Sequence, residues 1–355
     1  MNPAKNILNI IAAPHTLGQK TNYLRYLFSK KEEVLKYNPV TISIVATTRC
    51  TLACNMCPTH SRIVPKDYPY VQKAIRDIDF EMFKDIVNRF KKATTVHIIG
   101  SGEPLLNKDF FKMVDYAASR KMKVKTFSNG TTIGDLKKEI LSSKLDGITI
   151  SINGHNAEEF TRMTGMDKTV YQTIYDGVRA LVEEKNKCNS SVKIKLSFII
   201  DRYNYTAIPE MVKVGLELDA DHIFFCNFLP APFEGLRAEE RVLTARPEIR
   251  DALTEIFRRY PPAIRKRLTP PVIVDAATRH NLCDIHFTQI RFDGDGNVSS
   301  CSMMLLNMSG NGTYKDDGLW NNDFFRDMRR AFISGEGRFI PEPCKSCPDN
   351  RGKDI

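Results

Sequence analysis

The stretch Cys50-Thr51-Leu52-Ala53-Cys54-Asn55-Met56-Cys57 spaces three cysteines as C-x-x-x-C-x-x-C. It follows the apolar run Ile42-Ser43-Ile44-Val45-Ala46, which reads as a short buried strand. The thiols therefore stand just past a strand, where α/β folds place their chemistry. Three thiolates can hold three irons of a cubane cluster and leave the fourth iron open to a small molecule, whereas a closed structural site takes four ligands. Simpler readings are a zinc knuckle or three unrelated buried thiols, since free cysteine is often a small core hydrophobe.

Outward from this stretch a strand–helix rhythm repeats. Candidate strands are Thr41–Ala46, Thr94–Ile99, Met122–Phe127, Gly147–Ile152, Val192–Ile199 and Asp221–Phe225, each short and rich in apolar or β-branched residues, as buried parallel strands are. Between them, Phe80, Phe83, Ile86, Val87 and Phe90 recur at helical spacing behind Asp79, a suitable N-cap. Ile208, Met211, Val212 and Leu216 make another stripe, with Pro209 at its start. Right-handed crossovers turn six such strands into an α/β fold, a partial (βα)6 TIM-like barrel.

The polar motifs fall at successive strand ends. Gly100-Ser101-Gly102-Glu103-Pro104 follows the second strand, Ser128-Asn129-Gly130 the third, and Ser151-Ile152-Asn153-Gly154-His155 the fourth. Taken singly, each also reads as a tight turn or a helix cap. Cys226 ends the sixth strand, and a core cysteine among phenylalanines is the favoured reading for it. His60 and His155 lie in loops near these motifs without metal-ligand spacing.

In this register the cysteine motif resembles that of the radical S-adenosylmethionine (SAM) superfamily, with Met56 in place of the family's aromatic residue. The resemblance implies a [4Fe-4S] cluster on Cys50, Cys54 and Cys57, with SAM chelating its open iron. Electron transfer to the sulfonium then releases a 5′-deoxyadenosyl radical that abstracts hydrogen from the substrate. It also implies SAM contacts from Gly102, Glu103 and Pro104, with Glu103 on the methionine ammonium. Further SAM contacts are implied from Ser128, Asn129, Ser151 and Asn153, the last standing where the family has aspartate. Arg162 is expected either on the methionine carboxylate, which suits a bidentate guanidinium, or in a surface ion pair. Cys226 is a candidate hydrogen-atom donor to a substrate radical.

A second cysteine group comprises Cys283, Cys301, Cys344 and Cys347. Four thiolates make a closed metal site, for zinc or an iron–sulfur cluster. Asp293-Gly294-Asp295-Gly296 between Ile290–Phe292 and Asn297–Ser299 signals a β-hairpin; a calcium loop is rejected because the required glycine and glutamate are missing. The spacing from Cys283 through Gly296 to Cys301 and then C-x-x-C is similar to the Twitch form of the SPASM auxiliary-cluster extension. That implies a second [4Fe-4S] cluster with four cysteine ligands.

Expected organisation is a helical extension over 1–40, the radical SAM barrel over 41–228, a proline-rich linker and helical cover over 229–280, and the small auxiliary-cluster domain with its hairpin over 281–355. Within the cover, Ile249–Leu268 reads as a basic helix. At 355 residues, 42% hydrophobic and 26% charged, the chain can bury a large core. Its net charge of +10 reads mainly as solvated helix faces, without the aromatic–basic pattern of a nucleic-acid binder. No apolar run is long enough to span a bilayer, and nine cysteines, seven of them in two spaced groups, fit a reducing cytoplasm.

The expected reaction is dehydrogenation or epimerisation of a sugar, cyclitol or similar polar small molecule, free or carrier-linked, with flavodoxin or ferredoxin as electron donor. Radical maturation of a ribosomal peptide is the alternative enzyme. A non-catalytic metal-binding or electron-transfer protein is the alternative from another class.

Overall fold

The computed structural model describes residues 3–65, 75–228, 241, 243, 246–274, 283–302, 310–334, 340–345, 347 and 352–353. Six strands, β1 (Thr41–Thr47), β2 (Thr95–Gly100), β3 (Lys123–Ser128), β4 (Gly147–Ser151), β5 (Lys193–Ile200) and β6 (His222–Asn227), pair in parallel in that order. Each begins and ends close to its expected bounds. Side chains alternate across a strand, and here one face is fully apolar. Ile42, Ile44, Val96, Ile98, Val124, Ile148, Ile150, Ile194 and Leu196 have no exposed surface and lie in one hydrophobic core. The opposite face lines the barrel interior and carries polar groups, including Ser43, His97 and Ser151.

Helices α1 (Pro3–Ala12) and α2 (Leu17–Phe28) precede the barrel. A capping box between Thr16 and Gln19 starts α2. Gln19 Nε2 also donates to Arg120 O, and Asn22 Nδ2 to Lys92 O, carbonyls just ahead of β3 and β2. These helices therefore cap the end of the barrel away from the motifs. Helices α3 (Phe80–Arg89), α4 (Phe110–Ser119), α5 (Lys137–Ser142), α6 (Ala157–Thr164), α7 (Lys168–Cys188) and α8 (Ile208–Glu217) form the outer layer. Asp79 caps α3 by accepting from the Glu81 and Met82 amides.

Two local expectations are corrected. The basic helix spans Pro247–Arg258 and gives way to a separate turn at Pro262–Arg265. Pro261 and Pro262 lack the amide that would continue it. The hairpin, expected as part of a separate small domain, continues the barrel's own sheet. That sheet has nine strands: β7 (Leu268–Thr269) lies beside β6, β8 (Ile273–Val274) lies outside it with Gly352–Lys353, β9 (Gln289–Phe292) runs parallel to β1, and β10 (Val298–Ser299) is antiparallel to β9. Ile290 and Phe292 stand opposite Ile42 and Ile44 in this pairing and are equally buried. Residues 229–240 and 275–282, much of the expected linker, lie outside the described residues.

The C-terminal helix Asp323–Ser334 is held by Arg329, whose side chain has no exposed surface. Its guanidinium donates to the carbonyls of His286, Glu33 and Trp320 and to Asn321 Oδ1, at 2.7–3.0 Å. It also stacks 4.3 Å from the Trp320 ring centroid. Removing it orphans buried acceptors, so Arg329→Leu is expected to cost about 3 kcal/mol or more. A urea midpoint unchanged from the parent protein would contradict this.

Candidate active site and metal centres

Cys50, Cys54 and Cys57 lie in the loop after β1, partly buried and free of disulfides. The loop is anchored to the C-terminal end of α6 by Asn55 N donating to Thr164 O at 2.7 Å. Burial, and then the neighbouring sulfurs of Cys57 and Cys50, push the Cys54 thiol up to about 12. Three thiolates so close are unfavourable alone, and a bound cationic centre supplies what they lack. The Leu52 amide and Asn129 Nδ2 donate toward Cys50 Sγ at 3.5 and 3.6 Å. Among the described residues, no three His, Cys, Asp or Glu side chains are grouped as for a single metal ion. The thiol-only donor set fits an iron–sulfur cluster.

Arg49, next to the first cysteine, holds this loop in place. It forms a two-point pair with Asp77, at 3.2 and 2.5 Å, and reaches Leu106 O at 2.8 Å. Neither partner is recognisable from local spacing.

The glycines at 100 and 102 serve a closer purpose than ligand approach. A Cβ on Gly102 would lie 1.9 Å from Arg49 O, and one on Gly100 2.4 Å from Gly102 O. The chain after β2 thus crosses directly against the cysteine loop, and the Glu103 amide donates to Arg49 O at 2.7 Å. Glu103 itself has no exposed surface. Its Oε1 accepts from the Leu105 amide at 3.1 Å and its Oε2 from the Asn129 amide at 2.6 Å. Burial still pushes its carboxyl up to about 7, against those two amides and Ser128. Pro104 opens a buried turn over Pro104–Leu106. Asn129 therefore spans the site, its amide on Glu103 and its side chain on Thr51 Oγ1 and Cys50.

A cavity of about 380 Å³ is lined at the strand ends by Gly100, Gly102, Ser128, Asn129 and Ser151. Ser43, His97, Gln289 and Arg291 line it further down the strands. Ser151 Oγ lies 3.2 Å from Ser197 Oγ. Asn153 adopts a left-handed φ of 51° and is buried, with Oδ1 unpartnered among the described residues. A polar ligand group fits that orphaned acceptor. Gly102, Ser128, Asn129, Ser151 and Asn153 are the residues that could hold SAM, with Glu103 behind them and Met56 half-buried in the cysteine loop.

Arg162 is not free for a ligand carboxylate. Its guanidinium makes a two-point pair with Glu159, at 2.9 and 2.7 Å, and lies 3.9 Å from the fully buried Asp201. The ion-pair reading is what the geometry shows. Cys226 is exposed at the end of β6, so it is not the core cysteine that its phenylalanine neighbours suggested. His60 Nε2 is engaged with Ser101 O at 3.0 Å.

The second cysteine group gathers from three segments. Cys301, Cys344 and Cys347 are buried and Cys283 is partly so. Burial raises the Cys344 thiol, and Cys301, Cys347 and Cys283 each raise it further. Asp293, in the hairpin turn, accepts from the amides of Asp295 and Asn297 and from the Asn297 side chain.

Residues 44–199 match the radical SAM superfamily. Curated relatives include the S-adenosylmethionine-dependent nucleotide dehydratase of Selenomonas ruminantium, 25% identical over 50% of this chain and 62% of that protein. Mycofactocin maturase MftC of Mycolicibacterium smegmatis is 26% identical over 51% of this chain and 43% of its own. GTP 3′,8-cyclase of Psychromonas ingrahamii is 28% identical over 54% and 55%. The chain thus aligns with about half the length of these relatives. Streptococcus suis SuiB bound to S-adenosylmethionine shares the fold with TM-score 0.60 and 16% identity, over 92% of this chain and 76% of that one.

Gly102→Ala is expected to force the Arg49 carbonyl away and abolish loading of the first cluster. Iron content after anaerobic reconstitution, read in a Cys344→Ala background, checks this; full retention of iron would contradict it. A second four-iron cluster on Cys283, Cys301, Cys344 and Cys347, as the sequence resemblance implies, predicts that Cys344→Ala alone lowers bound iron from about eight to about four per chain.

Proposed function

We propose that this chain, whose residues 44–199 match the radical SAM superfamily, is an enzyme removing a hydrogen atom from a polar small molecule, a sugar, cyclitol or similar compound. The observation that carries this reading is the cavity of about 380 Å³ that joins the SAM-facing strand ends to a polar floor at Ser43, His97, Gln289 and Arg291. The first cluster, when bound, supplies the electron that cleaves the SAM sulfonium and frees the 5′-deoxyadenosyl group for hydrogen abstraction. Cys50, Cys54 and Cys57 hold that cluster, and Asn129 steadies Cys50. Glu103 receives the SAM ammonium, Asn153 Oδ1 accepts from a SAM hydroxyl, and Ser151 faces the cavity. Cys283, Cys301, Cys344 and Cys347 hold a second cluster whose closed ligand set suits electron transfer, which favours dehydrogenation. Flavodoxin or ferredoxin delivers the electron. The relatives' names span nucleotide and maturation chemistry, so they support the radical step and leave the substrate to the cavity.

Among the described residues no helix is long and apolar enough to cross a membrane.

The reduced, cluster-loaded protein is expected to convert SAM to 5′-deoxyadenosine; its absence would overturn the enzyme reading. Glu103→Gln keeps an acceptor and loses the charge, so SAM binding should weaken about tenfold or more. A carboxyl pushed up to about 7 is protonated below that pH and cannot pair with an ammonium. SAM affinity should therefore fall as pH drops below about 7, and that dependence should flatten in Glu103→Gln. Equal pH profiles would remove Glu103 from the site.

A further inference from the structure

The interior face of the barrel carries a group of cations that the SAM site does not use. Arg291 on β9 is 3% exposed and lines the cavity. Among the described residues its Nε and Nη1 have no hydrogen-bond partner. Buried donors left without partners are costly, because desolvation is not returned by hydrogen bonds. The acidic groups acting on it are Cys301 and Asp293, and the Asp293 carboxylate already serves its own turn. In register across the sheet, Arg291 stands opposite Ser43, Ser43 opposite His97, and His97 opposite Lys125. Lys195 on β5 lies on the same interior face, with Nζ 5.6 Å from the Phe224 ring centroid. Both lysines are close enough to His97 to depress its pKa further after burial, to about 4. Neither makes an ion pair or hydrogen bond among the described residues, though Asp146 acts on Lys125 from the strand's start.

We propose that this group, Arg291 with Lys125, Lys195 and His97, is a subsite for a phosphoryl group on the substrate of the reaction proposed above. The choice of oxyanion follows from charge and shape. Guanidinium offers a planar pair of donors to phosphate or carboxylate alike. Arg291 and His97 line the cavity, and Lys125 and Lys195 act on His97 from the same face of the sheet; a site with more than one positive charge suits more than a single negative charge, and a phosphoryl monoester brings about −1.5 to −2 at neutral pH. Neutral His97 adds an N–H donor without adding repulsion. The phosphoryl group would then anchor the substrate low in the barrel and leave its carbon skeleton toward Ser151 and the strand ends, where SAM is proposed to bind. This rests on the substrate occupying the same cavity as the SAM-facing residues.

The test titrates inorganic phosphate, inorganic pyrophosphate and acetate calorimetrically into the anaerobic, cluster-loaded full chain in the presence of SAM. Phosphate or pyrophosphate should bind at least about tenfold more tightly than acetate. Arg291→Gln should weaken phosphate binding about tenfold or more, and Arg291→Lys, which keeps charge without the fork, by less. Lys125→Met and Lys195→Met should each weaken it several-fold; because these side chains are only partly buried, they test the subsite even if Arg291→Gln fails to fold. Acetate binding as tightly as phosphate would overturn the phosphoryl assignment in favour of a carboxylate. Phosphate binding indifferent to all four substitutions would overturn the subsite. So would an Arg291→Gln change confined to the electron paramagnetic resonance of the second cluster. Anion binding is read without turnover, so a protein that binds phosphate through Arg291 yet cleaves no SAM would sink the enzyme reading alone.

Discussion

The site depends on a single backbone crossing. At Gly102 the chain leaving β2 passes so close to Arg49 O that even a methyl group would meet it at 1.9 Å. That contact locks the cysteine loop to the loop that carries Glu103, and Glu103 then locks both to Asn129 through a buried carboxylate–amide bond of 2.6 Å. Three strand ends, β1, β2 and β3, are thereby fixed with respect to one another. The price is a carboxylate held without water, whose pKa rises to about 7. A ligand ammonium at that point would offset the burial and favour the ionised form.

Much of this was legible in the sequence. Six strands were readable because buried parallel strands are short apolar runs, and the outward faces at Ile44, Ile98, Ile148 and Leu196 are fully buried. Cys50, Cys54 and Cys57 were readable because their spacing is local. What escaped were contacts between loops far apart in the chain. Arg49 and Asp77 look like ordinary loop charges, and their pairing depends on how the segment after the cysteines folds back. The glycines at 100 and 102 make room for the chain itself, a crossing that no local pattern announces. Arg162 was expected on the methionine carboxylate or in a surface ion pair, and its guanidinium pairs with Glu159, three positions away on the same helix.

The cationic interior was hidden for a different reason. Lys123-Val124-Lys125-Thr126 and Lys193-Ile194-Lys195-Leu196 alternate polar with apolar, which reads as one face in water and one in the core. Here the polar face turns into the barrel. Arg291 could not be assigned to that face until the hairpin's place was known, because β9 joins the sheet beside β1, and only this pairing sets Arg291 opposite Ser43. The same pairing brings Cys301, two residues past β10, toward the barrel. The proposed substrate anchor and the second thiol group thus share one hairpin.

The central claim is that the loop after β1 presents a cluster with an iron open to SAM. The most direct measurement is the electron paramagnetic resonance of the reduced, cluster-loaded protein with and without SAM. The signal of the first cluster should change on adding SAM in the Cys344→Ala protein, and no such change should remain in Cys54→Ala. A spectrum indifferent to SAM in Cys344→Ala, with the first cluster present and reduced, would contradict the account.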